Sequence, residues 1–254
     1  MMEMSGNSKE ISSSPRGGCP QSPLVVALDM DSRAEALQWV KRLGNCVDVF
    51  KVGLQLFLRE GIPVVEAIAA EGKRVFLDLK LHDIPNTVQH AARSLAIPGV
   101  EFITVHASGG AEMMSAAVSA VREQRSKNPL ITTRVLAVTI LTSLDDADLR
   151  QMGLDHSVSG QVLNLARLAR SAGVEGLVAS PQETRLLRAE HSNNLVLVTP
   201  GVRPAGVESH DQKRIMTPRQ AMQEGSDFLV MGRSLLKAPE PEKTVRQILA
   251  EMTG

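Results

Sequence analysis

The densest group of ionisable residues in the chain is the segment from Asp78 to Thr87, which reads DLKLHDIPNT. Asp78 and Lys80 are two positions apart, so in a β-strand their side chains project to the same side while Leu79 projects to the other. A carboxylate beside an amine in a partly enclosed site perturbs the proton affinity of both groups. The pair therefore predicts a site that handles a proton. The alternative is a structural ion pair that only neutralises its surroundings.

Two more charged residues flank this pair. Lys51 ends an earlier apolar run and is the natural neighbour of Asp78 and Lys80, although a structural ion pair is the alternative for Lys51 as well. Asp83 lies three positions past Lys80, beyond the predicted strand, so geometry alone does not place it in the same site. An alternative for Asp83 is the N-cap of a helix that begins near Pro85, because proline suits the first helical turn.

The elements that must position these residues are short apolar runs that alternate with amphipathic stretches. Nearly continuous runs rich in β-branched residues are typical of parallel strands that are buried on both faces. The eight runs are Leu24–Asp29, Val47–Val52, Arg74–Leu79, Val100–Val105, Thr133–Ile140, Val174–Ala179, Leu195–Thr199 and Asp227–Met231. Stretches between them, such as Ser32–Leu43, Ala111–Arg125 and Gly160–Ala172, have the pattern of helices.

Eight strands that alternate with eight helices over about 230 residues predict a (β/α)8 TIM barrel, which is an α/β fold. A doubly wound open sheet is the alternative, but it usually has fewer strands for this length. No linker divides residues 24–254, so we expect a single domain there. Ser, Gly and Pro supply 12 of the first 23 residues, which predicts a disordered tail over residues 1–23.

Active sites of such barrels lie at the carboxyl ends of the strands, often with a phosphate site after strands seven and eight. Gly232 follows the eighth strand and lets backbone N–H groups approach phosphate oxygens, and Arg233 adds a bidentate donor for a dianion. This rim therefore predicts an active site for a phosphorylated substrate. The residues at the predicted strand ends are Asp29, Lys51, Asp78, Lys80, His106, Thr142, Ser143, Ser180, Arg203, Gly232 and Arg233.

Composition argues against several other classes of function. The 28 basic and 28 acidic side chains give zero net charge, without the basic excess that non-specific nucleic-acid binding needs. Aromatic residues are only 2% of the chain, which leaves little material for stacking bases. Cys19 and Cys46 match no disulfide framework or metal motif. Without a signal peptide or a membrane-length apolar stretch, we expect a cytoplasmic protein with no membrane or nucleic-acid partner.

In its motifs the chain resembles the orotidine 5′-monophosphate decarboxylase family, in its bacterial short form. The matching segments are VVALD at 25–29, KVG at 51–53, FLDLKLHDIPNT at 76–87, VHASGG at 105–110, LTS at 141–143, VTPGVRP at 198–204, DQKRIMTP at 211–218 and MGRS at 231–234. The resemblance implies a (β/α)8-barrel homodimer. It also implies a carboxy-lyase that converts orotidine 5′-monophosphate to uridine 5′-monophosphate in de novo pyrimidine biosynthesis, with no cofactor and no metal.

The resemblance also implies roles for single residues. Lys80 would donate a proton to pyrimidine C6, and Asp78 would lie beside the leaving carboxylate. Asp83 and Thr87 would reach into the site of the neighbouring subunit, where Asp83 would complete the charged array of Lys51, Asp78 and Lys80. The remaining substrate contacts implied are Asp29 and Lys51 at the ribose, Thr142 and Ser143 near the pyrimidine, and Leu79, Leu81, His82, Ile84, Pro85 and Asn86 within the DLKLHDIPNT segment.

At the phosphate end, the resemblance assigns Arg203, Gln212, Gly232 and Arg233 to one binding set. The polar segment Pro200–Thr217, between the seventh strand and its helix, is long for a loop in a compact domain. Loops of this kind commonly close over a ligand and exclude water. We therefore expect this segment to cover the phosphate.

Two alternative functions remain open. A related barrel with the same D-x-K-x-x-D spacing decarboxylates keto-sugar acid phosphates or condenses formaldehyde with a pentulose phosphate. Those enzymes use Mg²⁺ held by further carboxylates, whereas the second strand here ends in KVG without an obvious acidic partner. A catalytically silent phosphate-binding protein on the same fold is the second alternative. It predicts replacement of one or more of the charged residues, all of which are present.

Overall fold

The computed structural model describes residues 22–191, 194–203 and 216–253, and its parallel strands form one closed barrel. Each strand pairs with the next along the chain, and the eighth pairs with the first. The predicted (β/α)8 barrel is confirmed, and the open-sheet alternative is wrong because an open sheet leaves two edge strands unpaired. The strands are β1 (Leu24–Ala27), β2 (Val49–Gly53), β3 (Arg74–Leu81), β4 (Val100–His106), β5 (Arg134–Val138), β6 (Gly176–Val178), β7 (Val196–Thr199) and β8 (Phe228–Met231).

Helices connect the strands and cover the outside of the barrel. Ser32 caps the first helix by accepting a hydrogen bond from the Glu35 N–H at 3.3 Å. The helices are α1 (Arg33–Leu43), α2 (Leu54–Glu60), α3 (Ile62–Ala70), α4 (Pro85–Leu95), α5 (Gly110–Lys127), α6 (Asp146–Gln151), α7 (Val158–Ser171), α8 (Thr184–His191), α9 (Pro218–Gln223), α10 (Arg233–Leu236) and α11 (Pro241–Thr253), with a 3₁₀ turn at Ala107–Gly109.

The strands separate two apolar cores. The inner core fills the barrel, where Phe102 makes edge-to-face contacts with Phe76 and Phe228 at centroid distances of 5.7 Å and 5.4 Å. The outer core lies between the strands and the helices, so successive strand residues alternate between them, as Val25 and Val26 do. Because both faces are buried, the strands have nearly continuous apolar sequences.

The described chain begins within the residues predicted as the tail. The Ser22 N–H donates to a carboxylate oxygen of Asp48 at 3.1 Å, and the Pro23 carbonyl accepts from the Leu229 N–H at 2.8 Å. Ser22 and Pro23 thus tie the start of β1 to the adjoining ends of β2 and β8. Residues 1–21 lie outside the described residues. Among the helices of the described ranges, none is both long and apolar enough to cross a membrane.

Candidate active site

The carboxyl ends of the strands enclose a cavity of about 250 Å³. Five inner-core side chains also line it, and we call them the cavity floor: Ala27, Phe76, Val138, Val178 and Val230. The fold brings eight of the predicted site residues together in the cavity wall, namely Asp29, Lys51, Asp78, Lys80, Thr142, Arg203, Gly232 and Arg233.

Strand β3 is irregular where it enters the cavity. Three of its residues, Asp78–Lys80, lie opposite Thr104 alone, because the flanking pairs are Leu77 with Ile103 and Leu81 with Val105. Within this bulge Lys80 has a φ of 51°, in the left-handed region, and is the one non-glycine residue with positive φ in the described chain. Bulges re-aim side chains beside active sites. A non-glycine residue held in this region carries strain of about 1–3 kcal/mol.

Four ionic groups, which we call the ionic array, run along the cavity wall: Asp29, Lys51, Asp78 and Lys80. The Lys80 amine lies 2.8 Å from Oδ2 of Asp78. The Lys51 amine lies 3.7 Å from the same oxygen and 3.2 Å from Oδ1 of Asp29. Negative and positive groups therefore alternate, and every member of the array has an opposite charge as its neighbour.

Asp78 is the buried centre of the array. Burial alone raises the pKa of its carboxyl, but the charges of Lys51 and Lys80 and the hydrogen bonds from Lys80 and Thr104 outweigh burial, so the pKa lies below its usual value. Asp78 is therefore an anion at neutral pH, although only 9% of the residue is exposed. An ionised carboxylate of this kind forms charge-assisted contacts that hold the neighbouring amines in place.

The rest of the DLKLHDIPNT segment lies outside the wall of this chain's own cavity. Leu79 and Leu81 pack against the outer core. His82 lies with its ring 5.3 Å from that of His106, between centroids. Burial and the nearby charges of His82 and Lys80 lower the pKa of His106, against the opposite effect of Asp78. His106 is therefore neutral at neutral pH and adds no positive charge to the array.

Asp83 does not cap the helix that follows it. Helix α4 begins at Pro85, its N-cap residue is Ile84 and no side chain caps it, so the N-cap alternative for Asp83 is wrong. The Asp83 carboxylate instead accepts a hydrogen bond from the Ile84 N–H at 2.7 Å. Four residues of this turn are exposed, namely Asp83, Ile84, Asn86 and Thr87, while Pro85 is half-buried.

Two arginines and a glycine supply a second, cationic part of the wall. Arg203 is buried, and its Nε has no hydrogen-bond partner among the described residues. A buried donor of this kind is suited to an anionic ligand. Space at Gly232 is tight, because a Cβ there would lie 3.1 Å from the Cβ of Ala27. Arg233 follows at the start of α10 and also lines the cavity.

The remaining predicted site residues do not all line the cavity. Thr142 lines the cavity, whereas its neighbour Ser143 is exposed and does not. Gln212 lies outside the described residues, as does most of the segment Pro200–Thr217. Within the described ranges, no three His, Cys, Asp or Glu side chains group as metal ligands.

The structure adds Thr104 to the hydrogen bonds of the ionic array. Thr104 on β4 is fully buried, and its hydroxyl contacts both the Lys80 N–H and the Asp78 carboxylate. The signal in the sequence is weak: Thr104 is a polar residue that follows Phe102 by two positions, so alternation turns it toward the barrel interior. Threonine is also common in strands because its side chain is β-branched, so a threonine in a strand does not by itself indicate a functional residue.

A closed parallel barrel with ionic groups at the carboxyl ends of its strands defines the class of (β/α)8-barrel enzymes. Comparison with known proteins then gives the family. The model of the Orotidine 5'-phosphate decarboxylase / HUMPS family matches residues 22–248. The chain belongs to this family.

Individual relatives are similar to this chain over nearly the same residues. An orotidine 5'-phosphate decarboxylase from Syntrophotalea carbinolica is 48% identical over 231 residues, 91% of this chain and 95% of that protein. Another from Moorella thermoacetica is 46% identical over 230 residues, 90% of this chain and 91% of that protein. A crystal structure of orotidine 5'-phosphate decarboxylase from Lactobacillus acidophilus superposes with a TM-score of 0.81 at 35% identity, covering 92% of this chain and 100% of that one.

The strain at Lys80 predicts an unusual order of stability for two substitutions. Lys80→Gly and Lys80→Ala both remove the amine, but only glycine adopts a φ of 51° without a steric cost. We expect Lys80→Gly to be more stable than Lys80→Ala by about 1 kcal/mol in the free energy of unfolding, measured by urea denaturation. Lys51, in the regular strand β2, is the matched control, where glycine should be the less stable of the two. The same order at both positions would contradict strain at Lys80.

The ionised Asp78 predicts a pH-dependent difference between the wild type and Asp78→Asn. The pKa in the folded state lies below the unfolded value of about 3.9, so ionised Asp78 stabilises the fold above that pH. This stabilisation is lost as the pH falls below it. We therefore expect the wild type to lose stability relative to Asp78→Asn between about pH 5 and pH 2, measured by urea denaturation at each pH. A difference that stays constant with pH would argue against a lowered pKa.

Proposed function

We propose that the protein converts orotidine 5′-monophosphate to uridine 5′-monophosphate and carbon dioxide, as a step of de novo pyrimidine biosynthesis in the cytoplasm. Residues 24–254 would act as one domain that carries the site. The observation that carries this proposal is the 2.8 Å contact between the Lys80 amine and the Asp78 carboxylate in the cavity wall. It sets a cation that bears a transferable proton beside a fixed anion, in a chain that belongs to the decarboxylase family.

The proposed reaction needs a stabilised anion and a proton. The bond between C6 and the carboxylate breaks, carbon dioxide leaves, and the electron pair remains on C6 in the plane of the ring. The Lys80 ammonium stabilises this charge as it forms and then gives C6 its proton. A proton from solvent then restores the ammonium, so the net reaction consumes one proton and releases carbon dioxide, and atoms and charges balance.

Asp78 acts in this proposal as a fixed charge. Its lowered pKa keeps it from taking up the proton, and its contact with Lys80 holds that amine in place. The leaving carboxylate would lie beside Asp78, where repulsion between like charges eases as carbon dioxide departs. Asp29 and Lys51 would bind the ribose hydroxyls, and Thr142 would lie by the pyrimidine.

The phosphate would bind at the other end of the cavity. Arg203 carries a buried Nε without a partner among the described residues, and Arg233 with Gly232 follows β8 in the wall. These donors suit a dianion, and Gln212 would join them. Closure of the segment Pro200–Thr217 over the phosphate is part of the same proposal.

We also infer a homodimer in which Asp83 and Thr87 complete the partner's site. Both residues are exposed and lie outside the cavity of their own chain. The large apolar side chain of Ile84, next to Asp83 in the sequence, is 66% exposed as well. An exposed large apolar side chain beside these two residues suits burial against a second copy.

Purified protein should therefore consume orotidine 5′-monophosphate without added metal, which is measured as loss of its ultraviolet absorbance. Lys80→Ala should lower the turnover rate by about 1,000-fold or more, because both the stabilising cation and the proton donor are lost. Circular dichroism and gel filtration check that this variant is folded. Near-native turnover by folded Lys80→Ala would overturn the role of Lys80.

The same assay distinguishes the proposed reaction from the magnesium-dependent alternative. Treatment with EDTA should leave turnover unchanged. Activity that EDTA abolishes and Mg²⁺ restores, or activity on a keto-sugar acid phosphate in place of the pyrimidine nucleotide, would favour the other reactions known for this type of barrel.

The shared site predicts complementation between two inactive variants. Lys80→Ala and Asp83→Ala should each be inactive alone. In a refolded mixture, a hybrid dimer regains one intact site because Lys80 and Asp83 of that site come from different subunits. We expect about one quarter of the wild-type activity for random pairing of a two-fold dimer, measured after refolding equal amounts.

The control mixture combines Lys80→Ala with Asp78→Ala. Both residues belong to the same subunit's cavity wall, so every hybrid site lacks one of them and no activity should return. If the Lys80→Ala and Asp83→Ala mixture stays as inactive as this control, Asp83 does not act across an interface.

A further inference from the structure

We propose that Thr104 is a positioning residue for the reaction, whose hydroxyl holds the bulge of β3 so that Asp78 and Lys80 face the cavity together. The inference rests on the proposed function, since it names a residue that acts through the groups assigned to that reaction. Thr104 itself does not line the cavity and would not touch the substrate.

The hydroxyl of Thr104 is held between two partners. It accepts a hydrogen bond from the Lys80 backbone N–H at 2.8 Å and donates one to Oδ1 of Asp78 at 3.1 Å. The N–H group only donates and the ionised carboxylate only accepts, so the direction of both hydrogen bonds is fixed. One buried hydroxyl therefore joins the backbone of Lys80 to the side chain of Asp78.

The two oxygens of the Asp78 carboxylate therefore have different partners. Oδ1 is held by Thr104, and Oδ2 faces the amines of Lys80 and Lys51 at 2.8 Å and 3.7 Å. A carboxylate held at one oxygen cannot rotate without losing a hydrogen bond. Thr104 therefore orients the oxygen that positions the Lys80 amine.

The hydroxyl also replaces a hydrogen bond that the bulge removes. Thr104 is the single residue of β4 opposite Asp78–Lys80, so regular strand pairing gives the Lys80 N–H no carbonyl partner there. The left-handed φ of Lys80 persists only when surrounding contacts hold it. Loss of the hydroxyl leaves the Lys80 N–H and Oδ1 of Asp78 without this partner, and the cost of these unpaired buried groups favours movement of the two residues.

The test compares substitutions that separate the hydroxyl from the shape of the side chain. Thr104→Val keeps the shape and removes the hydroxyl, whereas Thr104→Ser keeps the hydroxyl. We expect Thr104→Val to lower kcat by about 100-fold with little change in KM, because displaced catalytic groups slow the reaction without removing a substrate contact. Thr104→Ser should stay within about three-fold of the wild type.

The matched control is Thr133→Val at the opposite end of the barrel. Thr133 is also fully buried, and its hydroxyl donates one hydrogen bond, to the Val100 carbonyl at 2.9 Å. This variant should lose stability while kcat is unchanged. Thr104→Val alone should also move the acidic limb of the pH–rate profile to higher pH, because Asp78 loses a hydrogen bond that favours its ionised form.

Two results would overturn the proposed role of Thr104. Wild-type kcat and pH profile in folded Thr104→Val, or a ten-fold loss of kcat in Thr104→Ser, would overturn it. If Thr104→Val does not fold, the pair Thr104→Ser and Thr104→Ala, which differ only by the hydroxyl, decides by the ratio of their kcat values. Absence of turnover in the wild type would instead overturn the proposed function, so the two failures are distinguishable.

Discussion

The ionised Asp78 carboxylate is the constraint on which the rest of the site depends. Buried at the end of β3, it stays charged because two lysine amines and one hydroxyl surround it. Each of these partners comes from a defined place: Lys51 from β2, Lys80 from β3 itself and Thr104 from β4. Three adjacent strands must therefore keep their relative register, and the closed barrel supplies that register by pairing every strand on both sides.

The bulge in β3 is the local consequence of this constraint. Asp78 needs a cation in direct contact, and Lys80 provides it from two positions away by turning through a left-handed backbone conformation. That conformation is unfavourable for a residue with a Cβ, so neighbouring hydrogen bonds must offset it. A barrel tolerates such a bulge at the carboxyl end of a strand because pairing resumes at Leu81 with Val105.

Much of the fold and part of the site were predictable from the sequence, for physical reasons. Strands buried on both faces leave continuous apolar runs, and each run is followed by the residues that the barrel collects at one rim. This is why Asp29, Lys51, Arg203 and Arg233 are identified without a structure. The bulge was not predictable, because alternation treats Asp78 and Lys80 as positions in a regular strand. Contacts between strands, such as those of Thr104, depend on register, which local sequence does not encode.

The apolar cavity floor strengthens the interactions within the ionic array. Phe76 and the aliphatic side chains beneath the array exclude water from one side, and charges interact more strongly beside such a medium than in water. In the proposed reaction, an array held in place by these contacts would need no rearrangement when charge appears on the substrate. The Thr104 proton is directed at Oδ1 of Asp78, so around that carboxylate the transferable protons face Oδ2, on Lys80 and Lys51. Lys80 lies nearer to this oxygen than Lys51 does, and in the proposed reaction Lys80 would give its proton to carbon.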